Sequence, residues 1–135
     1  MRTVREVAEE FARRLEQGDL GHAFELMNEQ GTYTIIGTTP LSKTTKGRAA
    51  IMAAVTPAAG AHEFLPTLHF PDVIVEGDRA VILGSGHGKG VTGPYHQPYY
   101  CFVTRVRDGG FDDMIEFADT VMVETAFFGK KLVDA

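Results

Sequence analysis

The chain carries a single cysteine, Cys101, in 135 residues, so no internal disulfide can staple it, and one thiol fits a reducing compartment. Cys101 reads as a small buried core residue, since a nucleophilic thiol would need a His partner. Basic charge is also scarce: 13 Lys and Arg stand against 18 Asp and Glu, for a net charge of -5. The longest basic clusters are Arg13-Arg14 and Lys130-Lys131, so no stripe is available to neutralise phosphates, and a nucleic-acid partner is excluded. No apolar run approaches bilayer length, and the opening Arg-Thr-Val-Arg-Glu lacks the apolar region of a signal peptide, which points away from a membrane and toward the cytoplasm. Internal repeats, linkers and low-complexity stretches are missing too. What is present is a balanced composition, 44% apolar and 23% charged, long enough for one domain over residues 1–135 with a real core.

The apolar positions Val4, Val7, Ala8, Phe11, Ala12 and Leu15 follow the i, i+3, i+4, i+7 spacing of a helix with one buried stripe. Thr3 can cap it, with Glu6 three residues on, and Gly18 supplies a left-handed stop. Asp19 can cap a second short helix burying Leu20, Ala23, Phe24 and Met27. "GTYTIIG" reads as a strand, "TTPLSKTTKG" as a polar loop broken by Pro40, and "GRAAIMAAV" as a third helix ended by Pro57 and Gly60. Helical spacing then disappears. Period-two alternation with turn signals at "EGDR", "GVTGPY" and "RDGG" predicts four antiparallel strands, roughly 64 to 75, 79 to 91, 95 to 107 and 111 to 125. Helices first and a meander after is an α+β arrangement, with helices on one face of a curved sheet.

"GSGHGKG", Gly84 to Gly90, has the look of a phosphate-cradling loop, but such a loop sits between a strand and a helix N-terminus, and here another strand follows. It reads as a kinked or bulged strand, and no cofactor is called for. His69, His87, His96 and Glu116 fall at none of the usual ligand spacings, so no metal site is expected.

The last predicted strand sorts into two rows, Met114, Glu116, Ala118, Thr120 and Met122 against Ile115, Phe117, Asp119, Val121 and Val123. Both are mostly apolar, so both faces must be covered, and a second copy of the chain is the simplest cover for one of them. The dense β-branched row suits a homodimer face on the outside of the sheet. The looser row suits a cavity wall with Glu116 pointing inward and Met114 and Met122 beside it. Asp119, on the outer row, then needs a backbone donor, an Arg or a partner-chain group. The preceding strand splits into His96, Pro98, Tyr100, Phe102 and Thr104 against Tyr95, Gln97, Tyr99, Cys101 and Val103, and either row can face inward. With the first row inward, His96, Tyr100 and Glu116 form an acid/base set. Phe11, Tyr33, Tyr100 and Phe102 can line a ligand pocket or fill an ordinary core.

"LEQGDLGHAFEL", "KGRAAI", "VIVEGDRAV" and "YCFVTRVRDGG" followed by "IEFADT" together resemble the SnoaL-like and ketosteroid-isomerase-like proteins of the nuclear-transport-factor-2-like superfamily, over nearly the whole chain. The resemblance implies a cone-shaped α+β barrel, three helices closing a deep apolar pocket, and frequent dimerisation through the outer sheet face. It also implies a small apolar ligand, with chemistry of isomerase, cyclase, dehydratase or hydrolase type in some members and none in others. The steroid isomerases' catalytic Tyr and two Asp fall where this chain has Phe11, Thr34 and Phe102, which argues against that reaction. The epoxide-hydrolase and cyclase branches place an acid on the last strand three residues before a second Asp, a pattern that Glu116 and Asp119 match. The expected site is therefore Glu116, with His96 or Tyr100 stabilising charge, and Phe11, Tyr33, Phe102, Met114 and Met122 around the ligand. The alternative is a dimeric binding or accessory protein without chemistry.

Overall fold

The structure is a computed structural model that describes residues 1–59 and 66–135, with side chains described outside 56–65. Helix α1, Val4–Glu16, begins at a capping box in which the Thr3 side chain accepts from the Glu6 N–H and Glu6 accepts from the Thr3 N–H, satisfying two N–H groups the helix leaves unpaired. Gly18, at φ 77°, lets the chain turn out of the helix in the left-handed region. Asp19 then caps α2, Leu20–Phe24, by accepting from the His22 N–H at 3.0 Å. The third helix, α3, spans Arg48–Ala59 and so continues past Pro57, where its predicted end was placed; a proline in a helix loses one N–H bond without always ending it. Gly60, the other predicted stop, lies outside the described residues.

The strands are β1 (Met27–Ile35), β2 (Lys43–Lys46), β3 (Thr67–Glu76), β4 (Arg79–Lys89), β5 (Pro94–Arg107) and β6 (Gly110–Phe117). They form a curved, unclosed sheet in the order β2-β1-β6-β5-β4-β3, with β1 and β6 parallel and every other pair antiparallel. The architecture is the expected α+β class, a cone with helices against the concave face. Strand β2 lies inside the segment expected to be a loop. Its pairing with β1, Thr32 opposite Lys46 through Ile35 opposite Lys43, recruits a polar stretch through backbone hydrogen bonds that composition does not reveal.

Two of the sheet's register shifts, both against β4, shape the concave face. Between His69 opposite Ser85 and Asp72 opposite Leu83, β3 carries Phe70 and Pro71 against the single residue Gly84. Between Gly86 opposite Gln97 and Gly84 opposite Tyr100, β5 carries Pro98 and Tyr99 against Ser85. Proline donates no ladder hydrogen bond and so settles at such insertions, which bend the strand and sharpen its twist. The glycine-rich run in β4 is the bulged strand that the sequence suggests: a Cβ on Gly84 would strike the His69 carbonyl and the Phe70 ring, and one on Gly86 would lie 2.7 Å from the Tyr100 ring. Glu16 at the end of α1 accepts from the Phe70 N–H at 2.9 Å, tying the helix to the first bulge.

The core sits between α1 and the sheet. Phe11 is fully buried and meets Phe24, Phe102 and Phe111 edge-on with centroids 5.2–5.4 Å apart. Each such contact adds about 0.5–1.5 kcal/mol to the burial of apolar area.

The last predicted strand is corrected at its C-terminal half. β6 stops at Phe117, and the chain turns into a short helix α4, Thr120–Met122, that runs on as a π-helical turn over Val123–Phe127. Asp119 is the cause: its carboxylate accepts from the N–H groups of Val121 at 3.0 Å and Met122 at 3.3 Å, the work of a helix N-cap. Asp119 therefore belongs to neither strand row, and the backbone donors that it needs are those of the helix start. Val121 and Val123 leave the outer sheet face with it, and Val123 is buried against Tyr95 and Ala126. Among the described residues no helix is long and apolar enough to cross a membrane.

Candidate functional site

A cavity of about 200 Å³ opens between the helices and the concave face of the sheet, walled chiefly by Leu15, Leu20, Phe24, Ile35, Leu68, Phe70 and Phe102, with Phe127 of the C-terminal turn also on its lining. Four polar side chains lie in this apolar wall, Tyr33, Tyr95, Tyr100 and Glu116.

Glu116 comes from β6, where it sits opposite Phe102 of β5 and Ile35 of β1. The Tyr33 hydroxyl donates to its Oε1 at 3.2 Å. Glu116 keeps some accessible surface, and that surface faces the hollow. Burial pushes its carboxyl up from the ordinary 4.5 to about 7, against a smaller downward pull from the Tyr33 hydrogen bond. Burial, followed by the Glu116 charge, holds the Tyr33 hydroxyl well above its ordinary range. At neutral pH the site thus presents a carboxyl poised between its two protonation states and a phenol that stays protonated, the condition general acid–base transfer requires.

The second polar group is built on β5. Tyr95 and Tyr100 hydroxyls lie 3.0 Å apart. Gln97, fully buried, donates from Nε2 to the Tyr95 hydroxyl at 3.0 Å and to the Asp119 carbonyl at 2.9 Å, while its Oε1 accepts from the Asp119 N–H at 2.8 Å. The chain turn at Asp119 therefore anchors the cavity wall as well as starting a helix. Burial raises both tyrosines, so both remain O–H donors.

The structure separates the residues that the sequence grouped. Tyr33, Tyr100, Phe102 and Glu116 line the cavity. Phe11 and Met114 are fully buried core residues, and Met122 packs behind the wall against the Tyr95, Val123 and Ala126 cluster. His96 does not share the cavity: it is exposed, opposite an exposed His87 on β4. Unbroken alternation would have placed it with Tyr100, but the extra residue at Pro98–Tyr99 reverses the phase, so Tyr95 and Gln97 turn inward instead. These two were missed, and the proline inside a predicted strand is the signal that would have found them. Among the described residues no group of three or more His, Cys, Asp or Glu is placed to hold a metal.

The family model described as a SnoaL-like domain matches residues 8–114. Among solved structures, an NTF2-like protein from Burkholderia thailandensis aligns with TM-score 0.80 and 21% identity over 93% of this chain and 98% of its own. A second NTF2-like protein, from Burkholderia xenovorans, aligns with TM-score 0.71 and 21% identity over 91% and 94%. TerC, co-crystallised with polyporic acid, aligns with TM-score 0.74 and 20% identity over 91% and 96%. At such identities the likeness is one of fold. No curated protein matches the sequence at a significant level. The matched span ends two residues before Glu116, so the acid stands on geometry alone, while the frame that holds it is placed: the chain belongs to the SnoaL-like family, with the NTF2-like cone fold.

Proposed function

We propose that the chain binds a small, largely apolar molecule in the cavity and that Glu116 moves a proton to or from it. The observation that carries the reading is the Glu116 carboxyl, aimed into an apolar hollow, held by Tyr33 and raised to about 7. A base of that strength is half ionised at neutral pH, and the surrounding apolar wall strengthens its pull on a nearby proton. Tyr100 supports developing negative charge on the ligand, the role expected of His96 or Tyr100. TerC's co-crystallisation with polyporic acid supports an organic ligand for a cone of this kind.

The test is hydrogen–deuterium exchange at the carbon next to the carbonyl of 1-tetralone, followed by NMR in deuterated water. Wild type is expected to accelerate exchange, and Glu116→Gln to slow it by about 10²-fold or more. Equal rates for the two proteins would leave a binding protein and refute the acid/base role.

The outer sheet face supports a homodimer. Ile74, Val81, Val103 and Ile115 fall in one cross-strand row, and Leu83, Cys101 and Phe117 in the next. Ile74 is 56% exposed and Phe117 40%, and a contiguous apolar patch of this kind is what a second copy would cover.

A further inference from the structure

We propose that Gln97 is a positioning residue: because it donates to the Tyr95–Tyr100 pair and takes no proton from it, the pair keeps one O–H for the cavity, and this wall selects ligands carrying a carbonyl or enolate oxygen. The inference rests on the ligand reading above and adds to it which chemical class is admitted.

The orientation of the Gln97 amide is dictated by its partner. The Asp119 N–H can only donate and the Asp119 carbonyl can only accept, so the atom 2.8 Å from the former is Oε1 and the atom 2.9 Å from the latter is Nε2. The remaining Nε2 hydrogen goes to the Tyr95 oxygen at 3.0 Å. Tyr95 is thereby an acceptor, and its own proton must go elsewhere. Among the described residues its one other hydroxyl partner is Tyr100, at 3.0 Å. With Tyr95 donating to Tyr100, the Tyr100 proton is left for the cavity that both rings line. If the bond inside the pair ran the other way, the Tyr95 proton would be left over instead. The pair holds two protons and consumes one, so in either case the cavity meets an O–H.

A ligand that seats here must therefore bring an acceptor, because a second donor would leave a buried O–H unpaired. With Glu116 on the same cavity wall, the matching ligand is an apolar ring system bearing a ketone or enol oxygen. Its oxygen would meet the tyrosines and an adjacent acidic C–H would face the carboxylate.

The relay can be reversed at one atom. In Gln97→Glu with the carboxyl protonated, one oxygen still accepts from the Asp119 N–H, and the other donates to the Asp119 carbonyl and accepts from Tyr95. Tyr95 then gives its proton to the introduced carboxyl, Tyr100 gives its proton to Tyr95, and nothing is left for the ligand. The two rings and their volumes are unchanged.

The experiment compares 1-tetralone with tetralin, the same fused rings with and without the carbonyl, by titration calorimetry. Taking the ratio of the two affinities in each protein cancels their different transfer from water. The ratio favouring the ketone is expected to fall about three- to ten-fold in Gln97→Glu, the range of one neutral hydrogen bond, while tetralin binds as in wild type. Gln97→Glu that binds tetralin normally and keeps the wild-type ratio overturns the inference and leaves the ligand reading standing. Should that variant fail to fold, the double variant Tyr95→Phe/Tyr100→Phe decides, since it lacks both hydroxyls: a lost ketone preference supports the outward O–H, and a retained one overturns it. Wild type that binds neither probe at millimolar concentration overturns the ligand reading and this inference together.

Discussion

Glu116→Gln should make the protein more stable in alkaline solution and leave it unchanged in acid, an unusual result for replacing a buried charged group. The folded carboxyl titrates at about 7 because burial disfavours its ionised form, against an ordinary 4.5 when the chain is unfolded. Between those values the folded protein holds a proton that the unfolded chain has released, so folding stability falls as pH rises through the interval and levels off above it. Below 4.5 both states are protonated and no penalty exists. At about 1.36 kcal/mol for each tenfold step in proton affinity, the full loss is about 3 kcal/mol at most. Gln carries the shape and neutrality of the protonated acid and can still accept from Tyr33, so it removes the dependence. Around pH 8.5 the variant should melt roughly 10 °C above wild type, and around pH 4 the two should coincide. Thermal unfolding by circular dichroism from about pH 4 to about pH 9 gives the difference curve, in which the other carboxyls cancel. A flat difference, or one in which wild type gains with rising pH, would show that the carboxyl is ionised and well solvated in the folded state, and the argument for a poised acid would fail.

Three further outcomes are expected. Gly84→Ala should destabilise by about 2–3 kcal/mol in urea titration, because a Cβ there strikes the His69 backbone, which cannot rotate away as a side-chain tip could. Asp119→Ala should cost about 1 kcal/mol through the lost N-cap and speed amide exchange over residues 120–127, whereas Asp119→Asn should restore protection; unchanged exchange in the Ala variant would remove the cap from the explanation. Phe117→Asp should leave the melting profile of a monomer intact but halve the sedimenting mass of a wild-type dimer, and wild type sedimenting as a monomer would refute the proposed outer-face pairing.

Local features of the chain were legible where one short-range interaction decides the structure. Thr3 and Glu6 announce the start of α1, Gly18 its end and Asp19 the next start, and each does what its chemistry allows within four residues. The same holds for the turns at Gly77 and Asp108–Gly109, where positive φ is needed. Alternation failed at the site because it is a cumulative signal: one unpaired residue at Pro98–Tyr99 inverts the meaning of every position before it. His96 and Gln97 exchange roles on that account, although neither residue gives any sign of it. The end of β6 was hidden for a different reason. Thr120, Val121, Met122 and Val123 have the side chains of a strand, and a single carboxylate at Asp119, together with the burial of Val123 and Ala126 against Tyr95, overrides them. Glu116 was expected on the inner face and lines the cavity because the alternation from Met114 to Glu116 is unbroken, whereas for Tyr100 either phase of β5 stood open.

The paired insertions flanking Gly84 and Ser85 give this cone an unusual evolutionary handle. Losing one codon at Pro98 or Tyr99 would restore a regular ladder with β4 and leave both flanks as they are: Gln97 stays opposite Gly86 and Tyr100 opposite Gly84, now two residues apart, so the amide and the phenols keep facing inward and the imidazole outward. The cone could thereby shed a bend in one genetic event, while the hollow kept its phenols, its amide and the acid opposite.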